Sequence, residues 1–301
     1  MRVSGAWKLA VPAICVLAAL MIVAALSPAK GTGPCTVVGD VAMLRDVPEA
    51  SGLAVSRRRS GLLWTHNDSG NTAVLFAVDA SGTVHGRVRV PIRTRDWEDV
   101  SAGACPDGDC LYVADIGDNG FTRRSVQVFR VPEPEPGVPQ TGGPDVFTLT
   151  YPDGPHNAEA LFVIEDAVFI VTKDGSGILY RSAPLGENRE VTMERVGELG
   201  LELVTDAEAS RDGQFVAVRT PQDVVVYRTA ELIRGGPAPS GVRIPVDGLR
   251  EPQGEGVALD GDVLYLASEG RPWNRAGRLI SLLCSLPSLP LPLRPAPSAA
   301  P

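Results

Sequence analysis

Short apolar runs rich in valine, isoleucine, leucine and aromatic residues alternate with clusters of Gly, Asp, Asn and Pro between residues 35 and 284. The runs are bounded by turn formers, which is the signature of strands rather than of amphipathic helices, so helix is expected to be nearly absent. Within this pattern a polar or acidic phrase heads an apolar run five times: SGLA (Ser51 to Ala54), WEDVS (Trp97 to Ser101), AEALF (Ala158 to Phe162), AEAS (Ala207 to Ser210) and GEGVA (Gly254 to Ala258). A second apolar run ending in polar residues follows each phrase, as in LLWTHNDSGN, LYVADIGDN, FIVTKDGSG, FVAVRTPQD and LYLASEG. Third runs such as VLFAVD, VQVFRV, ILYRS, VVVYRT and RLISLLC come next. Weaker fourth runs are TVHGRVRVP, DVFTLTY, EVTMERV and GVRIPV.

With Ser51, Glu98, Glu159, Glu208 and Glu255 in register, the units are 47, 61, 49 and 47 residues apart, a period that suits four-stranded β-propeller blades. The expected fold is all-β, a single propeller of five blades, with six as the alternative. Unit five ends after three strands, while Cys35 to Leu44 precedes unit one without a hairpin partner. That N-terminal segment therefore closes the last blade, because otherwise two blades would present open edges. Antiparallel closure brings Cys35 beside Cys284.

The cysteines agree with this ring. Apart from Cys15 in the hydrophobic leader, four remain, and an even count in an exported chain favours two bridges, Cys35 with Cys284 and Cys105 with Cys110. The first would close nearly the whole domain, worth about 4 to 5 kcal/mol in the chain-entropy model. Export is read from Arg2 and Lys8 preceding the uncharged run Leu9 to Leu26, on the border between a signal peptide and a membrane anchor. The organisation expected is a leader over residues 1–29, a propeller over 35–284 and an extended, disordered proline-rich tail over 285–301, with too little to bury and too few amide donors for a sheet. The domain is expected outside the cytoplasm, secreted or held by residues 9–26, and monomeric. The formal net charge is −8, and the leader contributes only positive charges to it. Such an acidic domain argues against nucleic acid and for a cationic ligand or metal.

In a propeller the start of each first strand and the end of each second strand share one face. The repeats thus gather Ser51, Glu98, Glu159, Glu208 and Glu255 around a channel mouth. Beside them fall Asn67, Asp68, Asp115, Asp118, Lys173, Asp174, Arg219, Ser268 and Glu269. Crowded glutamates raise one another's pKa unless cations compensate, and calcium, taking several oxygens, suits Glu98, Asp115, Glu159, Glu208 and Glu255. The same acids could instead accept backbone amides from neighbouring blades and staple the ring. His66, Lys173 and Arg219 are the candidates for catalysis. Trp64, Trp97 and Trp273 could stack on a ligand, though packing between blades is the more ordinary role. No GxSxG, HExxH, P-loop or CxxC occurs, which leaves serine-hydrolase, zincin, nucleotide and zinc-ribbon chemistry without support.

The phrases SGLAVS, NAEALF, TDAEAS and QGEGVALDGDVLYLASEG resemble those of the phytase-like β-propeller group and, more loosely, of calcium-dependent gluconolactonase-type propellers. The resemblance implies a secreted propeller with calcium at one mouth, held by residues matching Glu159, Glu208, Glu255 and Glu269, and in some members hydrolysis of phosphoesters, esters or lactones. Two functions follow as expectations. One is a module that binds a ligand or protein partner at the mouth; the other is a calcium-dependent hydrolase.

Overall fold

The computed structural model describes residues 32–68, 70–186, 189–236, 239–270 and 276–286. The leader over residues 1–29 with Cys15, Trp273, and all but the first two residues of the tail lie outside the described residues. The chain opens with two short strands, β1 (Cys35–Val37) and β2 (Ala42–Leu44). Blade one is β3 (Ala50–Val55), β4 (Leu62–Asn67), β5 (Val74–Asp79) and β6 (Val84–Arg89); blade two is β7 (Asp99–Cys105), β8 (Gly108–Asp115), β9 (Val126–Pro132) and β10 (Asp145–Thr150). Blade three holds β11 (Ala158–Ile164), β12 (Ala167–Thr172) and β13 (Ile178–Arg181). After it come β14 (Glu190–Thr192) and β15 (Glu194–Glu198). Blade four is β16 (Asp206–Ala209), β17 (Phe215–Arg219), β18 (Asp223–Arg228) and β19 (Gly241–Pro245), with a single helical turn at Thr229–Leu232. Blade five is β20 (Gln253–Asp260), β21 (Val263–Glu269) and β22 (Gly277–Cys284).

Five sheets make a five-bladed β-propeller, and the N-terminal strands close it. Both β1 and β2 pair antiparallel with β22, placing Cys35 opposite Cys284 and Leu44 opposite Gly277. Disulfides join Cys35 to Cys284 and Cys105 to Cys110, in keeping with an oxidising, extracytoplasmic setting. No helix among the described residues is long and apolar enough to cross a membrane.

The blades are held by apolar layers between neighbouring sheets. Leu111 and Val113 of blade two pack with Trp64 and Leu75 of blade one, and Phe162 and Val171 of blade three pack with Val216 and Val218 of blade four. Strand faces alternate, so each sheet offers one face to each neighbour, which explains why inner strands read as continuous buried runs. One strand departs from the expected repeat. EVTMERV splits around buried Met193: β14 adds in parallel to β10 of blade two, and only β15 completes blade three.

Every first strand starts, and every second strand ends, on the same face. The described chain enters at Thr32 and leaves at Leu286 on the opposite face, because β22 runs from the mouth down to Cys284.

Candidate functional site

Inner strands of a five-bladed ring stand close enough for side chains to span the axis: β16 touches β3, β7, β11 and β20. Three tiers of polar groups fill this axis, and they revise the register inferred from the repeats. Strands β3, β11 and β20 carry bulges at their first residues, with Glu159 and Glu255 among the residues left unpaired. In blade two, Glu98 and Asp99 share Ala114 as partner; in blade four, Thr205 and Asp206 share Arg219. The residue equivalent to Glu98, Glu159 and Glu255 in blade four is therefore Thr205, not Glu208, a correction of three positions. Hydroxyls confirm the equivalence. Ser51 Oγ donates to Glu98 O at 2.7 Å, and Thr205 Oγ1 donates to Glu255 O at 3.0 Å, each reaching the next blade at the same height.

The second tier is a pair of carboxylates, Asp99 and Asp206, both with no solvent exposure. Asp99 accepts from Val100 N and Leu161 N, each at 2.6 Å. Asp206 accepts from Leu53 N at 3.1 Å and Val257 N at 2.5 Å. Two side chains thus bind inner-strand amides of four blades from blades two and four, and all five are tied at one level. The two carboxyls face one another closely enough for their ionisation to be coupled, and Asp206 Oδ1 has no other partner among the described residues. Burial pushes Asp99 up to about 7, and burial together with the charge of Asp99 holds Asp206 well above the usual range. Such a pair is stable when it shares a proton. Gly52 makes room for it: with φ at +30°, a Cβ there would lie 2.6 Å from Asp99 Oδ1 and 2.7 Å from Val100 N. In the third tier Glu208 is accepted into blade two, taking hydrogen bonds from Ser101 Oγ and from Ala102 N, the latter at 3.1 Å. The stapling role holds for Glu208, and its carboxylate is not at the mouth.

The first tier opens into a cavity of about 150 Å³. Among the described residues six carboxylates line it, from Asp68, Asp96, Glu98, Glu159, Glu255 and Glu269, with Lys173 as the cation and Ser51, Asn119 and Gln253 beside them. Lys173 Nζ donates to Glu159 Oε1, and Gln253 Nε2 donates to Glu255 Oε1 at 2.6 Å. Among the described residues no donor reaches the carboxylate of Glu98, which is only 7% exposed. Burial, reinforced by the charges of Glu159, Asp68 and Asp96, pushes Glu98 up to about 11. Burial lifts Glu159 to about 7 with Lys173 restraining it, and burial raises Glu255 as well. For Lys173, burial works against the charged form, but Glu159, Glu255 and Glu98 together raise its pKa.

Other expected members lie elsewhere. Asp115 is buried and taken by Arg123 at 3.0 Å and by the amides of Asp96 at 2.7 Å and Arg95 at 3.2 Å, so it fixes the loop that carries Glu98 rather than facing the cavity. Asp118 accepts from Arg123 N at 2.7 Å and Asp174 from Asn157 N at 2.9 Å, while Asn67 accepts from Glu49 N at 3.0 Å. Arg219 is fully buried, donating to Gly256 O at 2.6 Å, Ala267 O at 3.0 Å and Glu251, so it joins blades four and five outside the cavity. Ser268 is likewise fully buried and does not line the mouth. His66 is fully buried against Trp97 with ring centroids 4.1 Å apart, and burial lowers its pKa to about 4. It is a neutral packing histidine, without access to the cavity. Trp64 and Trp97 are buried too, Trp64 donating from Nε1 to Glu133 at 2.9 Å.

Asp96, Asn119, Gln253 and the Asp99–Asp206 pair escaped the reading of the repeats. Asp96 and Asp99 flank Glu98 inside the WEDV phrase, and that adjacency of acids was the available signal. Among the described residues no three His, Cys, Asp or Glu side chains are grouped so as to hold a metal ion.

The fold and site define a five-bladed β-propeller with a carboxylate-lined mouth. No protein-family model matches the chain, and no curated protein matches it. Solved structures similar to it include U3-55K, at 17% identity and a TM-score of 0.39 over 77% of this chain and 67% of that one. Hydrazine synthase of Kuenenia stuttgartiensis is similar at 16% identity and a TM-score of 0.38, over 75% of each chain.

Proposed function

We propose that this protein is an exported propeller that binds a cationic ligand, calcium foremost, at its acidic mouth. The observation that carries the reading is Glu98, a buried carboxylate with no hydrogen-bond donor among the described residues, lining a cavity where, among those residues, six acids face one lysine. Such an arrangement must be neutralised, either by protons or by a bound cation. The donors fit calcium in kind, being oxygens throughout, with Glu98, Glu159, Glu255, Asp68 and Asp96 to hold it; with no three acids tightly grouped, water or oxygens of a further ligand would complete the shell. Resemblance of the repeat phrases to phytase-like propellers points the same way. Because the described ends leave from the opposite face, a leader retained as an anchor would turn the mouth away from the bilayer.

Thermal melting in chelator, in calcium, in magnesium and in spermidine tests the proposal. A calcium-dependent rise in Tm that Glu98→Gln removes supports it, since anything binding only the folded state raises stability by mass action. Indifference to every cation overturns it. Hydrolysis is the second reading, favoured by Lys173, which lines the cavity and would bring positive charge to a developing oxyanion there. Turnover of p-nitrophenyl phosphates, esters or lactones that is lost in Lys173→Met would establish that reading.

A further inference from the structure

The two most exposed large apolar side chains among the described residues are Phe121, at 51%, and Leu203, at 50%. Both stand on loops of the mouth face, Phe121 between the end of β8 and the start of β9, Leu203 between the end of β15 and the start of β16. Both also hold φ in the left-handed region, at 51° and 56°, where a side chain bearing a Cβ is unfavourable. An exposed apolar residue is ordinary on its own, but strained backbone persists only where its surroundings enforce it. Here they do. In the first loop Asp118 accepts from Arg123 N at 2.7 Å, its carbonyl takes Phe121 N at 2.9 Å, and Arg123 donates to Gly117 O at 2.8 Å. In the second, Leu201 and Val204 are buried on either side of Leu203, and Leu199 N donates to Gly177 O at 3.0 Å.

These two side chains flank the cavity from blades two and four. Asn119, two residues before Phe121, lines it, and Thr205, two residues after Leu203, belongs to its first tier, so each apolar residue lies within about 7 Å, Cα to Cα, of the mouth. The cavity, at about 150 Å³, is smaller than the roughly 300–1,000 Å³ that takes a whole small organic ligand, and suits a single cationic head group. Its carboxylates ring the opening without three of them, among the described residues, being grouped as metal ligands, and Glu98, only 7% exposed, meets no donor there. A guanidinium matches that spread, because its five N–H donors lie in a rigid planar fork and reach several oxygens at once.

We propose, resting on the mouth's being a cation site, that this face docks a partner polypeptide through one arginine, whose guanidinium enters the cavity while apolar side chains near it in sequence pack on Phe121 and Leu203. Apolar anchors around a desolvated charge make a binding hot spot, and anchors held rigid in advance lose little freedom on docking. The acids of the mouth would repel the anionic headgroups of a bilayer, so charge favours a polypeptide, which can carry a cation and apolar groups together. Calcium and the guanidinium then compete for Glu98.

Panning a random heptapeptide library on the full chain at pH 7, without calcium, should enrich an arginine with a large apolar residue within three positions of it. The enriched peptide, synthesised with a fluorescent label, should bind with a Kd that rises at least tenfold in Glu98→Gln, at least tenfold in Phe121→Gly with Leu203→Gly, and also on adding calcium. Glycine is at ease in left-handed backbone, so the double glycine variant should melt at or above the wild-type Tm while peptide binding falls. A lowered Tm with unchanged peptide affinity shows the two side chains to be packing groups and overturns the proposal. So does a library that enriches no arginine, or binding that requires lipid vesicles. Calcium-dependent melting that persists while no such peptide is enriched removes the docking site alone, whereas loss of both removes the cation site with it.

Discussion

Replacing Asp206 by alanine removes the acceptor of two fully buried amides, Leu53 N and Val257 N, which belong to blades one and five. An orphaned buried donor costs about 1–3 kcal/mol, so the two together cost about 2–6 kcal/mol, a large share of the 5–15 kcal/mol that holds a domain folded. Asp206→Asn keeps a carbonyl oxygen for the amides and offers an NH₂ to Asp99, so its cost at pH 5.5 is expected to be about 1 kcal/mol. Dependence on pH separates the two effects. Asp99 rises from 3.8 to about 7 in the fold, and Asp206 is also held well above 3.8. A carboxyl with a raised folded pKa contributes stability that is complete below pH 4 and is lost as pH climbs through the folded value. The wild-type protein should therefore lose stability between pH 5.5 and 8, and Asp206→Asn, having no second carboxyl to ionise, should lose less. Urea unfolding with disulfides intact, at both pH values, measures this. If Asp206→Ala unfolds within about 0.5 kcal/mol of wild type, or if Asp206→Asn keeps the full pH slope, the axial pair does not hold the blades together.

Gly52→Ala should destabilise by at least as much as a large core substitution, because the new methyl meets Asp99 and the Val100 backbone at under 3 Å, and a lowered Tm at unchanged disulfide content checks it. Arg219→Met leaves Glu251 buried without its cation and should cost about 3–5 kcal/mol in denaturant unfolding. Opening the Cys35–Cys284 link as a double serine variant should cost about 5 kcal/mol by the chain-entropy model, while the Cys105–Cys110 pair, five positions apart, should cost less.

The ring was legible because its causes are local and repeated: apolar runs at blade spacing, turn formers between them, an orphan first strand and a cysteine at each end. The mouth was legible only in part. Glu98, Glu159 and Glu255 converge as their spacing implies, but matching AEAS to AEALF set blade four out of register by three residues. The acidic phrase is the same in both, yet the blade-four copy sits three residues further along its strand, and only the pairing of Thr205 and Asp206 with Arg219 reveals it. A shift of that size moves Glu208 from the cavity to the amide of Ala102. Asp99 and Asp206 stayed hidden for another reason. Three of their four partners are backbone amides 51 to 153 residues away, and amides carry no sequence signal. The break in EVTMERV is equally silent, since β14 and β15 differ only in which blade receives them.

The central claim, that the mouth is a cation site kept neutral by protons until its ligand arrives, is tested most directly by counting protons. With Glu98 held near 11 and Glu159 near 7, a cation entering at pH 7 must displace protons. Calorimetric titration of calcium in buffers of different ionisation enthalpy should show about one or more protons released per ion bound, and fewer in Glu98→Gln. Binding without proton release, or no binding of any cation at the mouth, would contradict the account.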